Sequence, residues 1–281
     1  MRKIVIGVSY FVFLSANNGL FPEALKAQPI WLEQSDNRSI SIEIRKPDKD
    51  NTTFASTTLW LSTRWPFIAK LILVGELPFS VVKQDFGNGF ENSESQIGNP
   101  YLGIEFRSLG SHLFLEAGLR LPVVTSRSIA TDFGQLADID RFEAFVPDIA
   151  TVLAAINAKI KSPRNLFVRL RGGFSFLTST GEGGATLLPI LAQGDDSELY
   201  LIAAAQFGFE GKRVNLTTGL TGRLFITEDG SFGKRNFLQL GLNARLNLGR
   251  FRPAVHFTIP LEDDIREVLD LVFGIHFGVR I

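Results

Sequence analysis

Alternation of apolar and polar residues, renewed along almost the whole chain, restricts the possible folds more than any other feature. Leu238, Leu240, Leu242, Ala244, Leu246 and Leu248 are interleaved with Gln239, Gly241, Asn243, Arg245 and Asn247. A strand sends successive side chains to opposite faces, so this stretch is oily on one face and polar on the other. Twelve such segments are read, near 39–45, 54–64, 67–81, 99–108, 112–125, 148–161, 165–177, 198–210, 213–227, 238–248, 251–261 and 268–281. Most are ten residues or longer, where a strand of a soluble sandwich typically has about five or six.

Tilted strands of roughly ten residues are long enough to cross the apolar layer of a bilayer. No other stretch reaches the ~18 uninterrupted apolar residues of a spanning helix. Lipid leaves unpaired backbone groups no partner, so strands can cross it only as a closed barrel. The expected fold is therefore all-β: a closed antiparallel up-and-down transmembrane β-barrel of about twelve strands. A two-sheet sandwich with the leucine rows between its sheets is the competing architecture.

Connections alternate as well. Short ones fall at 65–66, 109–111, 162–164, 211–212 and 249–250, and long ones near 46–53, 82–98, 126–147, 178–197, 228–236 and 262–267. Short periplasmic turns and long extracellular loops are the layout of bacterial outer-membrane barrels. Outward aromatics are expected near the short-turn ends (Phe67, Phe106, Phe207, Phe209, Phe251, Phe277) and near the long-loop ends (Phe79, Phe174, Phe176, Phe273). With 25 Phe against 3 Tyr and 3 Trp, these girdles are unusually rich in phenylalanine.

Residues 1–27 read as a secretory signal. Arg2 and Lys3 precede an apolar run over 4–16, too short to span as a helix. Cleavage after Ala27 is the preferred boundary, with Ala16 and Ala24 as alternatives, leaving 28–281 as one barrel domain. The chain has no Cys, which excludes a disulfide scaffold and a thiolate site. Its formal net charge of zero gives no reason to expect a nucleic-acid partner.

Inward positions carry the candidate chemistry. In this register the candidate pore lining is Glu43, Arg45, Arg64, Lys70, Glu76, Glu105, Arg107, Glu116, Arg120, Arg169, Arg171, Arg223, Arg245, Arg252, His256, Asp270, His276 and Arg280. Lys159 and Glu210 join them, and cations outnumber carboxylates. Two readings follow: cross-paired belts that fill a narrow barrel, or a wet channel that prefers anions. Pairing of Arg107 with Glu116, or of Arg120 with Glu105, is expected across neighbouring strands.

No Gly-x-Ser-x-Gly elbow or His-x-Ser pattern occurs, so no catalytic residue is assigned and no enzyme is expected. His256 and His276 read as hydrated interior residues; a proton or metal site with Glu262 and Asp270 is the sharper alternative, and no metal or cofactor is assigned. The longest loop, 126–147, spaces Phe133, Leu136, Ile139, Phe142 and Phe145 for a short amphipathic helix near 135–145. It is expected either to fold across the mouth as a lid or constriction, or to pack on its own rim.

Three segments carry a family resemblance. Gly274-Ile275-His276-Phe277-Gly278-Val279 resembles the terminal recognition strand of bacterial outer-membrane barrels, although Arg280 and Ile281 follow it. Gly75-Glu76-Leu77-Pro78-Phe79 and the stretch from Ile97-Gly98-Asn99-Pro100-Tyr101 to Phe106 resemble a group of outer-membrane transporters of the phenol-degradation-pathway type. That likeness covers roughly 55–125 and, more loosely, the tail from Pro260. The terminal-strand likeness implies insertion by the barrel-assembly machinery; outer-membrane lipid, lipopolysaccharide and an unknown small solute are the other expected partners, and the transporter likeness carries over no functional residues. The expected function is a porin-like channel in the Gram-negative outer membrane, with a plugged structural or surface-interaction barrel as the alternative.

Overall fold

A computed structural model describes residues 38–48, 53, 55–68, 70–85, 91–107, 112–181, 197–226 and 236–281. The predicted export signal, its boundary at Ala27 and most of the glycine-rich loop tips lie outside the described residues.

Thirteen strands run in chain order: β1 Ser39–Pro47, β2 Thr57–Ile68, β3 Leu71–Asp85, β4 Glu91–Ile97, β5 Tyr101–Arg107, β6 Leu113–Arg120, β7 Ile149–Lys161, β8 Leu166–Ser179, β9 Ser197–Glu210, β10 Val214–Phe225, β11 Phe237–Leu246, β12 Phe251–Pro260 and β13 Val272–Arg280. All pair antiparallel with their neighbours, and β1 pairs with both β2 and β13, so the sheet closes on itself. β4 and β5 both pair with β3, β4 against Phe79–Asp85 and β5 against Leu71–Glu76. They are one stave broken at Gly98-Asn99-Pro100, and the barrel has the expected twelve staves.

The outer wall is the apolar face. Leu102, Leu115, Ile156, Phe174, Leu216, Leu242 and Phe277 are exposed, while the residues between them on the same strands are mostly buried. All six aromatics expected outward near the short-turn rim are exposed; at the other rim Phe174 and Phe176 are exposed, and Phe79 and Phe273 are half-buried. This rejects the sandwich, whose leucine rows would be covered.

Strand ends differ from expectation in several places, β6 among them, which ends at Arg120 rather than Thr125. Trp65-Pro66 is not a turn: β2 continues to Ile68 through a register shift between Pro66 and Ile68. The loop expected at 82–98 holds the end of β3 and all of β4. The last strand begins at Val272, not Val268, because a helical turn at Asp263–Arg266 swings Leu269 into the interior, 1% exposed, where alternation placed it outside.

Between β6 and β7 the long loop forms helix α1, Ile129–Ala137, and a 3-10 helix, Ile139–Phe145. Ser128 starts α1 with a reciprocal cap: its Oγ accepts from the Thr131 amide and its own amide donates to Thr131 Oγ1. Asp138 ends that helix in an extended conformation and caps the next by accepting from the Asp140 amide. The expected single helix at 135–145 is thus two helices on either side of Asp138.

Candidate functional site

Segment 121–148 does not pack on its own rim but reaches across the interior from β1 and β3 to β10. It enters the barrel, and almost every residue from Ala130 to Val146 is buried. Its apolar side chains complete a core with the long-loop ends of the staves: Leu136, Ile139, Phe142 and Val146 pack with Leu177, Tyr200, Phe237, Leu269 and Val272. Phe142 meets Tyr200 and Phe237 edge-on, and Phe145 meets Trp60 edge-on at 5.6 Å.

Beneath this apolar layer lies a buried ion network. Arg141 donates to Glu76 on β3 at 2.6 Å, to Glu43 on β1 at 2.8 Å and to Asp138 beside it. Its guanidinium lies over the Trp60 ring of β2, 3.8 Å from the centroid. Arg45 bridges Glu43 at 2.5 Å and Asp138 at 3.0 Å, and Arg120 donates to Glu76 at 2.9 Å. Across the barrel, Arg223 on β10 donates to Glu143 at 3.0 Å and to the Asp140 carbonyl, while Thr221 donates to the Asp140 carboxylate at 2.8 Å.

The broken stave holds the base of the segment. Asn99 is fully buried. Its Nδ2 donates to the carbonyls of Glu143 at 3.1 Å and Val146 at 2.7 Å, and its Oδ1 accepts from the amides of Val123 and Val124, both at 2.8 Å. Its own amide donates to the Ala144 carbonyl at 2.6 Å. Pro100 denies the ladder a donor here, and one amide side chain ties both legs of the inserted segment instead.

Toward the short-turn rim inward polar groups, buried or half-buried, continue with cations in excess. Arg64 and Arg107 share Glu105, Lys159 and Lys161 share Glu210, Arg171 donates to Glu116 at 3.0 Å, and Arg169 donates to Gln206 at 3.3 Å. The expected partners differ from those found. Arg107 is with Glu105, not Glu116, and Arg120 is with Glu76, not Glu105. Glu105 and Glu116 themselves stand opposite each other in the β5–β6 register.

Of the candidate lining residues, Glu43, Arg45, Arg64, Glu76, Glu105, Arg107, Arg120, Arg223, Arg245, His256 and His276 are buried, and Glu116, Arg169, Arg171, Arg252 and Arg280 are half-buried. Two are placed elsewhere: Lys70 is exposed in the β2–β3 turn, and Asp270 is exposed ahead of β13. Each was read as continuing a strand that in fact starts later. His256 lies 3.4 Å from Glu43, and His276 faces Glu43 in the β1–β13 register. Among the described residues no cluster of three metal-ligating side chains occurs. At the long-loop rim, partial burial and the neighbouring Asp263 and Asp264 push the Glu262 carboxyl up.

Reasoning on strands alone missed Asn99, Asp138, Asp140, Arg141 and Glu143. Beside the segment lies a cavity of about 60 Å³ lined by Arg45, Glu76, Tyr101, Glu116, Arg171 and Arg223 among others.

No protein-family model matches the chain, and no curated protein matches its sequence. Solved structures do match. The COG4313 outer membrane channel from Pseudomonas putida F1 superposes with a TM-score of 0.58 at 12% identity, over 91% of this chain and 100% of that one. The fold is that of an outer-membrane barrel. The NanC porin gives a TM-score of 0.52 at 7% identity, covering 87% of this chain and all of its own. The translocator domain of the autotransporter NalP from Neisseria meningitidis gives 0.54 at 12% identity, over 87% and 89%. A channel, a porin and a translocator domain share the architecture, so the likeness fixes the fold and leaves function to the interior.

Proposed function

We propose that this chain is a passive channel for small solutes in the bacterial outer membrane, that it prefers anions, and that segment 121–148 holds it shut in the conformation described. The observation that carries the reading is the chemistry of the interior. Apolar packing fills a narrow barrel at least as stably as buried ion pairs do. An interior of arginines and glutamates therefore points to water and charged solutes as its working contents. The cation excess from Arg64 to Arg280 on the short-turn side sets the sign of the preference. The fold shared with the Pseudomonas channel and the NanC porin agrees with this reading. So does the resemblance of 75–79 and 97–106 to transporters of the phenol-degradation-pathway type.

The second reading is a filled barrel that transports nothing, and the small size of the cavity beside Arg141 favours it. Proteoliposome uptake separates the two. Purified protein lacking 126–145 is expected to pass a small carboxylate faster than a small amine of equal size. Uptake of neither by this variant overturns the channel reading.

A further inference from the structure

Both legs of the inserted segment are tied at one point of the wall by backbone hydrogen bonds, and the stretch between them is fastened by charge through Asp138, Asp140 and Arg141. This asymmetry is the geometry of a hinged gate. We propose that Asn99 is the hinge and Arg141 the latch of a gate formed by residues 125–142, an inference that rests on the channel reading above and says how such a channel opens.

The hinge side chain binds backbone groups only, while the Asn99 carbonyl accepts from Arg120 of the wall at 2.8 Å. Asn99 binds the backbones of Val123 and Val124 on the entering leg and of Glu143 and Val146 on the leaving leg. Backbone contacts of this kind survive a rotation of the part beyond them. Gly98 lets the pivot close: a Cβ there would lie 2.5 Å from the Ala144 carbonyl oxygen and 2.9 Å from the Phe145 ring.

The latch is built so that release strands no acid on the wall it leaves. Arg141 clamps three consecutive staves through Glu43 on β1, Trp60 on β2 and Glu76 on β3. When it leaves, Glu43 keeps Arg45 and Glu76 keeps Arg120. Arg141 carries Asp138 away with it, since both belong to the moving segment. Removing one partner from a buried pair is costly because it leaves a charge uncompensated; here each of these carboxylates has a cation in both positions. The backbone at Arg141 is non-helical within its 3-10 helix (φ −132°, ψ 28°), which turns its side chain out of the helical path and onto the staves. Thr221 and Arg223 on β10 are the second fastening, across the barrel.

Planar-bilayer recording on the full barrel tests this. Arg141→Gln is expected to raise the open probability by at least about tenfold, the factor equivalent to one lost charge-assisted hydrogen bond. The chain has no cysteine, so Asp140→Cys with Thr221→Cys introduces one pair in contact across the closed gate. Oxidation of that pair is expected to abolish the current and reduction to restore it. A folded R141Q barrel with wild-type open probability, or an oxidised pair that leaves the current unchanged, overturns the gate. If the chain lacking 126–145 conducts in either of those cases, the channel reading stands without the gate. If that chain carries no current, the channel reading falls and the gate with it.

Discussion

The guanidinium carbon of Arg141 sits 3.8 Å from the centroid of the Trp60 ring, while Phe145 meets the same indole edge-on. A residue of the inserted segment therefore covers the one tryptophan described inside the barrel. Trp65, by contrast, is exposed on the outer wall under Arg38.

This contact gives an optical readout. In a single-tryptophan variant, Trp31→Phe with Trp65→Phe, the emission of Trp60 is expected to resist aqueous iodide. Adding Arg141→Gln is expected to raise the quenching severalfold. Equal quenching in both chains contradicts the placement of the segment.

Asn99→Ala removes four side-chain hydrogen bonds at once. Buried groups left without partners cost about 1–3 kcal/mol each before relaxation and rehydration. A net loss of roughly 2–4 kcal/mol is expected in denaturant unfolding from lipid or detergent. Asn99→Asp is expected to be no better, since it keeps the acceptor but loses both donors.

Two glycines separate crowding from mere loss of flexibility. Gly98→Ala places a methyl against the Ala144 carbonyl, Pro78 and Phe145, whereas a Cβ at Gly172 meets nothing within 4 Å. Gly98→Ala is expected to cost about 1–3 kcal/mol, the range for overpacking, and to expose segment 121–148 to added protease. Gly172→Ala is expected to change neither stability nor cleavage.

Leu242 lies exposed midway along β11, between the buried Gly241 and Asn243. Arginine at a lipid-facing midplane position costs about 2–4 kcal/mol. Leu242→Arg is expected to lower the stability of the bilayer-embedded barrel by that amount. A neutral effect contradicts the assignment of this face to lipid.

Much of this architecture was legible because a period of two is a local signal. Each strand reveals its own two faces, so the outward placement of Leu115, Phe207 and Leu242 and the burial of Arg64 and Glu105 follow without knowing any partner. The inserted segment was not legible for the opposite reason. Arg141 acquires its meaning from Glu43, ninety-eight positions away, and no local pattern carries that distance. Asp138 hid the helix boundary because one residue both ends α1 and caps the 3-10 helix, so two amphipathic stretches read as one. Pro100 marked a break, yet the side-chain hydrogen bonds of Asn99 involve four residues on two other stretches of chain. Leu269 was misplaced because it continues the alternation of β13 while belonging to the turn before it.

Single-channel conductance of the intact chain beside the chain lacking 126–145 tests the central claim most directly. The account predicts few, brief openings for the intact barrel and a steady, anion-preferring current for the shortened one. Indistinguishable conductance in the two, or silence in both, would contradict it.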